Sequence, residues 1–193
     1  MVIKELNSER SVMELPETLP ELVEGQGCFA LRAFRPTDAP ALEMQINSSR
    51  IAERVANVPS PYTRMHAESW ISHLNIEHAM HQYTRRMDFV IDVGGSLVGS
   101  VAFINIDGHK AQLSYWLGEA YQGRGIMAEA VRMAVAFGLR ECGWKRIWAY
   151  THDGNYASQS VLKRAGFELE GIHRKEWLKD GRYRDSWMYA IVV

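Results

Sequence analysis

The stretch Leu113-Ser-Tyr-Trp-Leu117-Gly-Glu-Ala-Tyr-Gln122-Gly-Arg-Gly125-Ile-Met-Ala-Glu129 changes its structural period part-way along. Its first part completes a β-rich run over 111–117. From Gly125 onward apolar residues recur at 127, 131, 134, 135, 138, 139 and 142, one face of a helix, while Glu129, Arg132 and Arg140 fall on the other. Gly143 stands where a helix of this length is expected to stop. A glycine-rich turn therefore joins a strand to a helix N-terminus, where the first backbone N–H groups have no partner within the helix and the macrodipole adds partial positive charge. Such a turn is an anion site. Gly123 and Gly125 let the backbone come close to a pyrophosphate, and Arg124 adds a charge-assisted contact at the rim.

Upstream, Asp88-Phe-Val-Ile-Asp-Val and Leu97-Val-Gly-Ser-Val-Ala-Phe-Ile are two strand-like runs joined at Gly94-Gly95, a primed-turn hairpin signal. With 111–117 after the turn at Asp107-Gly108, they form an antiparallel meander. Before them, a strand begins at Cys28, Pro36 and Pro40 bracket the start of a short helix reaching about residue 46, and a second helix covers about 65–83. Downstream come a strand from Arg146, a short helix over 155–165 capped by Asn155, and strands over 167–177 and 183–193. The order is βααβββαβαββ, an α+β layout.

The chain has 193 residues, 47% of them hydrophobic and 23% charged, enough to bury the core of one domain. Residues 1–26 read as an acidic, Pro- and Gly-punctuated N-terminal extension, and 27–193 as the domain. With 22 basic and 23 acidic residues the net charge is −1, which carries no nucleic-acid footprint. Cys28 and Cys142 lack metal or redox spacing and are read as reduced, buried thiols. No window approaches the roughly 18 apolar residues of a membrane span, so a cytoplasmic protein with no membrane partner is expected, a monomer or homodimer.

Three phosphate-binding patterns compete for the turn. A P-loop from Gly118 and Gly123 requires Lys and then Ser or Thr, where this chain has Arg124 and Gly125. A dinucleotide fingerprint fits Gly123-x-Gly125-x-x-Ala128, with Asp153 rather late as the ribose-binding acid, but that fold places no antiparallel meander immediately upstream. The third pattern is a resemblance. Gln122-Gly-Arg-Gly-Ile-Met127 resembles the Q/R-x-x-G-x-G/A signature of the GNAT acetyltransferases, with Met127 in place of the usual small residue, as in RimJ/RimL-type members. Asn155-Tyr-Ala-Ser158-Gln-Ser-Val-Leu-Lys-Arg-Ala-Gly166-Phe167 resembles a second motif of the same family. The tail from Glu170-Gly171 to Asp185 is similar to that of RimJ/RimL-type ribosomal-protein N-terminal acetyltransferases. The resemblance spans about residues 28–193. It implies the GNAT fold, a mixed, mostly antiparallel central sheet of about seven strands flanked by about four helices.

It also implies acetyl-CoA as cosubstrate and direct attack by an amine in a ternary complex. In this reading Leu117, Gln122, Gly123, Arg124, Gly125, Ile126, Met127, Asn155 and Ser158 bind the coenzyme. A backbone N–H near Leu117 serves the developing oxyanion, worth roughly 2.7 to 4 kcal/mol if it matches other such donors. Many relatives carry a tyrosine general acid where this chain has Leu162; Ser158 is the substitute, although it and Asn155 also read as ordinary helix-start residues. No general base is identified, since Gln112 and Trp177 stand where acids are sought.

The acceptor is expected to be a primary amine. An α-amino group, titrating near 8, is about a tenth neutral at pH 7, whereas a lysine near 10.4 is neutral at about one part in a few thousand, so a protein N-terminus needs the weaker base. A small amine such as a polyamine or antibiotic, and a CoA-binding or interaction module that has lost catalysis, are the alternatives. His73, His78 and His81 share a helical stretch without ligand spacing, and no metal is expected. Trp177, Tyr183 and Trp187 are candidates to line the acceptor groove.

Overall fold

The computed structural model describes residues 19–23, 29–47, 51, 58–79, 85–179 and 181–193. Their strands are β1 (Leu22–Val23), β2 (Ala30–Arg32), β3 (Met87–Val93), β4 (Ser96–Asp107), β5 (Lys110–Leu117), β6 (Arg146–His152), β7 (Glu168–Lys179) and β8 (Arg182–Val192). The α-helices are α1 (Ala39–Ile46), α2 (Arg64–Ala79), α3 (Ile126–Arg140) and α4 (Tyr156–Arg164), with 3₁₀ turns at Pro36–Asp38 and Glu119–Tyr121. The expected succession from β2 to β8 is observed. An eighth strand, β1, pairs Leu22 with Leu31, within the stretch read as an extension; two residues are too short for a periodic signal. Cys28, His81 and residues 80–83 of the expected second helix lie outside the described residues.

One sheet runs β1-β2-β3-β4-β5-β6-β8-β7, antiparallel except between β5 and β6. Gly94 and Gly95 both have positive φ, 61° and 85°, as the two-residue hairpin between β3 and β4 demands. β5 and β6 pair only over Lys110↔Arg146, Ala111↔Ile147 and Gln112↔Trp148. The sheet therefore has a gap in its pairing between the C-terminal ends of β5 and β6.

Alternation along β3 divides the core. Phe89 and Ile91 join the α3 and α4 side with Val131, Ala134, Phe137, Leu162 and Tyr189, whereas Val90 joins α1 and α2 with Leu42, Ile71 and Leu74. The middle strands are therefore covered on both faces and read as continuous apolar runs. Trp144, fully buried, meets Phe103 edge-on at 4.7 Å and lies so close to α3 that a Cβ on Gly138 would approach its ring to 2.7 Å.

Just past α3, Cys142 is buried, and burial beside Glu141 pushes its thiol up from an ordinary 9.0 to about 12. Only the neutral thiol suits the folded state, so its share of stability is whole below pH 9.0 and disappears as pH climbs to about 12. Peptide mapping after iodoacetamide treatment at pH 8 should leave Cys142 unmodified in the native protein and alkylate it in urea. Alkylation at equal rates in both states would contradict this packing.

Candidate active site

The turn after β5 carries two glycines in the left-handed region. Gly123 has φ 76° and Gly125, the residue before the first helical turn, φ 83°; a Cβ on either would meet nothing within 4 Å. A side chain at either position would therefore project into open space. Residues 122–125 are exposed, no side chain among the described residues caps α3, and the first amide bond of the helix runs from Glu129 N–H to Gly125 O at 3.2 Å. Among the described residues the amides of Gly123, Arg124, Gly125, Ile126, Met127 and Ala128 have no protein acceptor. They sit at the positive end of a 15-residue helix. Arg124 carries its guanidinium over the Tyr121 ring at 5.6 Å, held at the rim of the loop. Met127 is buried and Ile126 half-buried, so these two side chains anchor the turn while their amides face outward.

Gln122 ties this loop to the strand before it. Its side-chain Nε2 donates to Leu117 O at 2.9 Å, and its backbone N–H to Glu119 O at 3.2 Å. At the end of β5, Gly118 donates its N–H to Val98 O at 2.8 Å, in register with the Gly99↔Leu117 pair. Antiparallel alternation then turns the Leu117 N–H away from β4, into the gap that β6 has left. Two glycines permit this approach. A Cβ on Gly99 would come within 2.6 Å of Trp116 O and 2.9 Å of the Leu117 side chain, and one on Gly118 would collide with the Gln45 amide of α1. The sequence pattern singled out neither Gly99 nor Gln45, and Gly118 only in the P-loop reading that fails, because what they do depends on contacts between distant segments.

Across the gap, Asn155 caps α4, its Oδ1 accepting from Ser158 N–H at 3.3 Å. Ser158 Oγ lies 2.7 Å from the hydroxyl of Tyr115, which also reaches Ser158 O at 3.2 Å. Tyr115 is two residues before Leu117 on the same face of β5. Burial holds its phenol well above the usual tyrosine range, against a smaller opposing pull from the bond to Ser158. The sequence offered one signal for it: a tyrosine alternating with Leu113 and Leu117 on a core-facing strand must find its hydroxyl a partner.

Other expected positions are engaged elsewhere. Leu162 is fully buried in the core. Gln112 lies on the last paired rung of β5 and accepts from Asn105 Nδ2 at 2.9 Å. Trp177 packs edge-on against His152 at 4.1 Å. Tyr183 and Trp187 share one face of β8, while Trp177, opposite Arg184, stands on the other, so the three aromatic residues do not line one wall. His73 pairs with Glu77 at 3.4 Å on α2.

A break in the β5–β6 pairing, a run of free amides at a helix start and a serine-bearing helix bonded across to β5 thus stand together. Residues 29–168 match the family model of the acetyltransferase (GNAT) domain, and the chain belongs to that family. Among its relatives is the probable N-acetyltransferase YjcK of Bacillus subtilis, 37% identical over 99 residues, 50% of this chain and 55% of that protein. The ribosomal protein uS5-alanine N-acetyltransferase of Escherichia coli is 34% identical over 100 residues, 50% of this chain and 52% of that protein. The chain thus spans about half the length of the curated relatives it matches. In fold it is similar to RimL, a ribosomal alpha-N-protein acetyltransferase solved with coenzyme A, at TM-score 0.80 and 23% identity over 90% of this chain and 98% of the other. Among the described residues no helix is long and apolar enough to cross a membrane.

Proposed function

We propose that residues 27–193 form an acetyl-CoA-dependent N-acetyltransferase whose acceptor is the α-amino group of a protein, ribosomal or similar, with residues 1–26 as an extension. The observation that carries this reading is the run of free amides from Gly123 to Ala128 beside a gap in the sheet. A diphosphate fits there: the amides supply donors, the helix supplies positive potential, and no side-chain carbon obstructs Gly123 or Gly125. Acetyl-CoA, when bound, brings the acetyl thioester. Gly123, Arg124, Gly125, Ile126 and Met127 would hold its diphosphate, with Gln122 bracing the loop. Asn155 keeps its Nδ2 for the pantetheine amides, since its Oδ1 is spent on the cap. Leu117 N–H donates to the thioester oxygen, and Ser158 Oγ–H to the sulfur.

The choice of acceptor rests on two supports. Relatives include an acetyltransferase of a ribosomal-protein alanine. The β7–β8 hairpin, which runs past the end of β6 at the open side of the gap, exposes Arg174, Lys175, Arg182 and Arg184, and Asp185 is already bonded to Lys175 N–H at 2.8 Å. A polyamine would look instead for a cluster of carboxylates. Release of free coenzyme A from acetyl-CoA should be fastest with peptides bearing a free N-terminal alanine or serine, and slow with spermidine or with the same peptides N-terminally blocked. Spermidine outrunning every peptide would transfer the assignment to small amines. Tight coenzyme A binding with no thiol release on any amine would favour the non-catalytic module, to which buried Leu162 and engaged Gln112 lend weight.

A further inference from the structure

We propose that Tyr115 is a positioning residue for Ser158: its hydroxyl donates to Ser158 Oγ and thereby turns the serine proton toward the departing sulfur. The inference rests on the reading of Ser158 as the group that serves that sulfur.

The geometry admits two hydrogen arrangements. Tyr115 has one hydroxyl proton and two oxygens of Ser158 within reach, Oγ at 2.7 Å and the carbonyl at 3.2 Å. When Tyr115 donates to the carbonyl, the short contact is made by Ser158 Oγ–H pointing back at Tyr115, and its proton is committed to the phenol oxygen. When Tyr115 donates to Oγ, the serine proton is released to point elsewhere. Among the described residues, nothing else restrains the hydroxyl rotor of this serine, which stands at the start of a helix with its own N–H bonded to Asn155. Tyr115 is therefore the group that selects the rotamer and proton direction.

Tyr115 is also fitted to remain a donor. Its phenol is held in the neutral form by burial, and Tyr189 nearby adds to that preference, so the O–H persists through and above the ordinary tyrosine range. The balance of the transfer leaves Tyr115 unchanged. The amine nitrogen forms its bond to the acetyl carbon and loses one proton. The carbon–sulfur bond breaks with its electron pair left on sulfur, and sulfur receives one proton from Ser158 Oγ. The proton surrendered by the amine restores Ser158. As Oγ gives up its hydrogen, a bond from Tyr115 strengthens, which is the interaction that matters in the rate and not in ground-state binding.

The test is a double-mutant cycle of Tyr115→Phe and Ser158→Ala, read in kcat, in KM for acetyl-CoA, in the calorimetric affinity for coenzyme A and in the melting of the unliganded protein. Tyr115→Phe should lower kcat about ten-fold, the worth of one hydrogen bond of ordinary strength, with KM and coenzyme A affinity within about two-fold of the parent. Added to Ser158→Ala it should lower kcat no further. If the two losses multiply, or if Tyr115→Phe weakens coenzyme A binding as much as it slows turnover, Tyr115 merely packs and the proposal is wrong. If Ser158→Ala loses rate and Tyr115→Phe does not, Tyr115 is dispensable while the reading of Ser158 stands. Full kcat in Ser158→Ala would overturn both. Should Tyr115→Phe melt more than about 10 °C early, Tyr115→Met, carried through the same cycle against Ser158→Ala, takes its place, and the same comparison of kcat decides.

Discussion

Gly125→Asp is expected to abolish coenzyme A binding while the protein stays folded. The fold should tolerate the change for two reasons. A Cβ at Gly125 meets nothing within 4 Å, and aspartate is among the residues that best accept a positive φ, here 83°, at about 1–2 kcal/mol. Aspartate is also a favoured residue at the position preceding a helix, although over the glycine it replaces it gains only a few tenths of a kcal/mol, so most of that strain remains. The same property destroys the site. A carboxylate at residue 125 would fold onto the amides at the start of α3 and place negative charge where the diphosphate belongs. Two charge-assisted hydrogen bonds at about 1.5–3 kcal/mol each set the expected rise in Kd for coenzyme A at more than about 100-fold. Melting should fall by no more than about 8 °C. Calorimetry returning the parental Kd would place the diphosphate somewhere other than this loop.

Arg32→Met should produce the largest loss of stability. Arg32 is 4% exposed and holds two carboxylates at once: its Nε donates to Asp92 at 2.6 Å, and its two terminal nitrogens to Asp38 at 2.8 and 2.9 Å. The carboxylates are in turn bonded to backbone. Asp38 accepts from Arg35 N–H and Asp92 from Gly95 N–H, both at 2.7 Å. One guanidinium thus joins β2, the turn that opens α1 and the β3–β4 hairpin. Methionine preserves the bulk and leaves two buried anions without their cation, at a cost of about 3–5 kcal/mol. At roughly 2–4 °C per kcal/mol for a domain of this size, the melting temperature should fall by about 10 °C. Arg32→Lys should recover little of it, because an ammonium cannot span both acids with a planar fork. A melting point unchanged by Arg32→Met would show that the cluster is replaceable by apolar packing.

The residues that announced themselves in the sequence did so through local order. The change of period at Gly125, the Gly94-Gly95 turn and the Asn155 cap each depend on neighbours within a few positions, and each stands where the pattern put it. The contacts that refine the site join distant segments. Tyr115 and Ser158 are 43 residues apart, and Arg32 and Asp92 60 apart. Gly99 reads as an ordinary strand residue until the end of β5 is seen pressed against it. A hydrophobic period reports which face of an element is buried but not which residue of another element it meets. The missing general base is a different case: Gln112 and Trp177 carry no ionisable group, and the structure gives them other partners.

The three rungs that join β5 to β6 make the sheet two half-sheets sharing a short seam. Below the seam the strands are stitched; above it, the two edges face each other across open ground, spanned by Tyr115 and the first turn of α4. If the acetyl donor lodges in that opening, as proposed, it would touch both halves at once and act as mortar between them, where the architecture is least continuous.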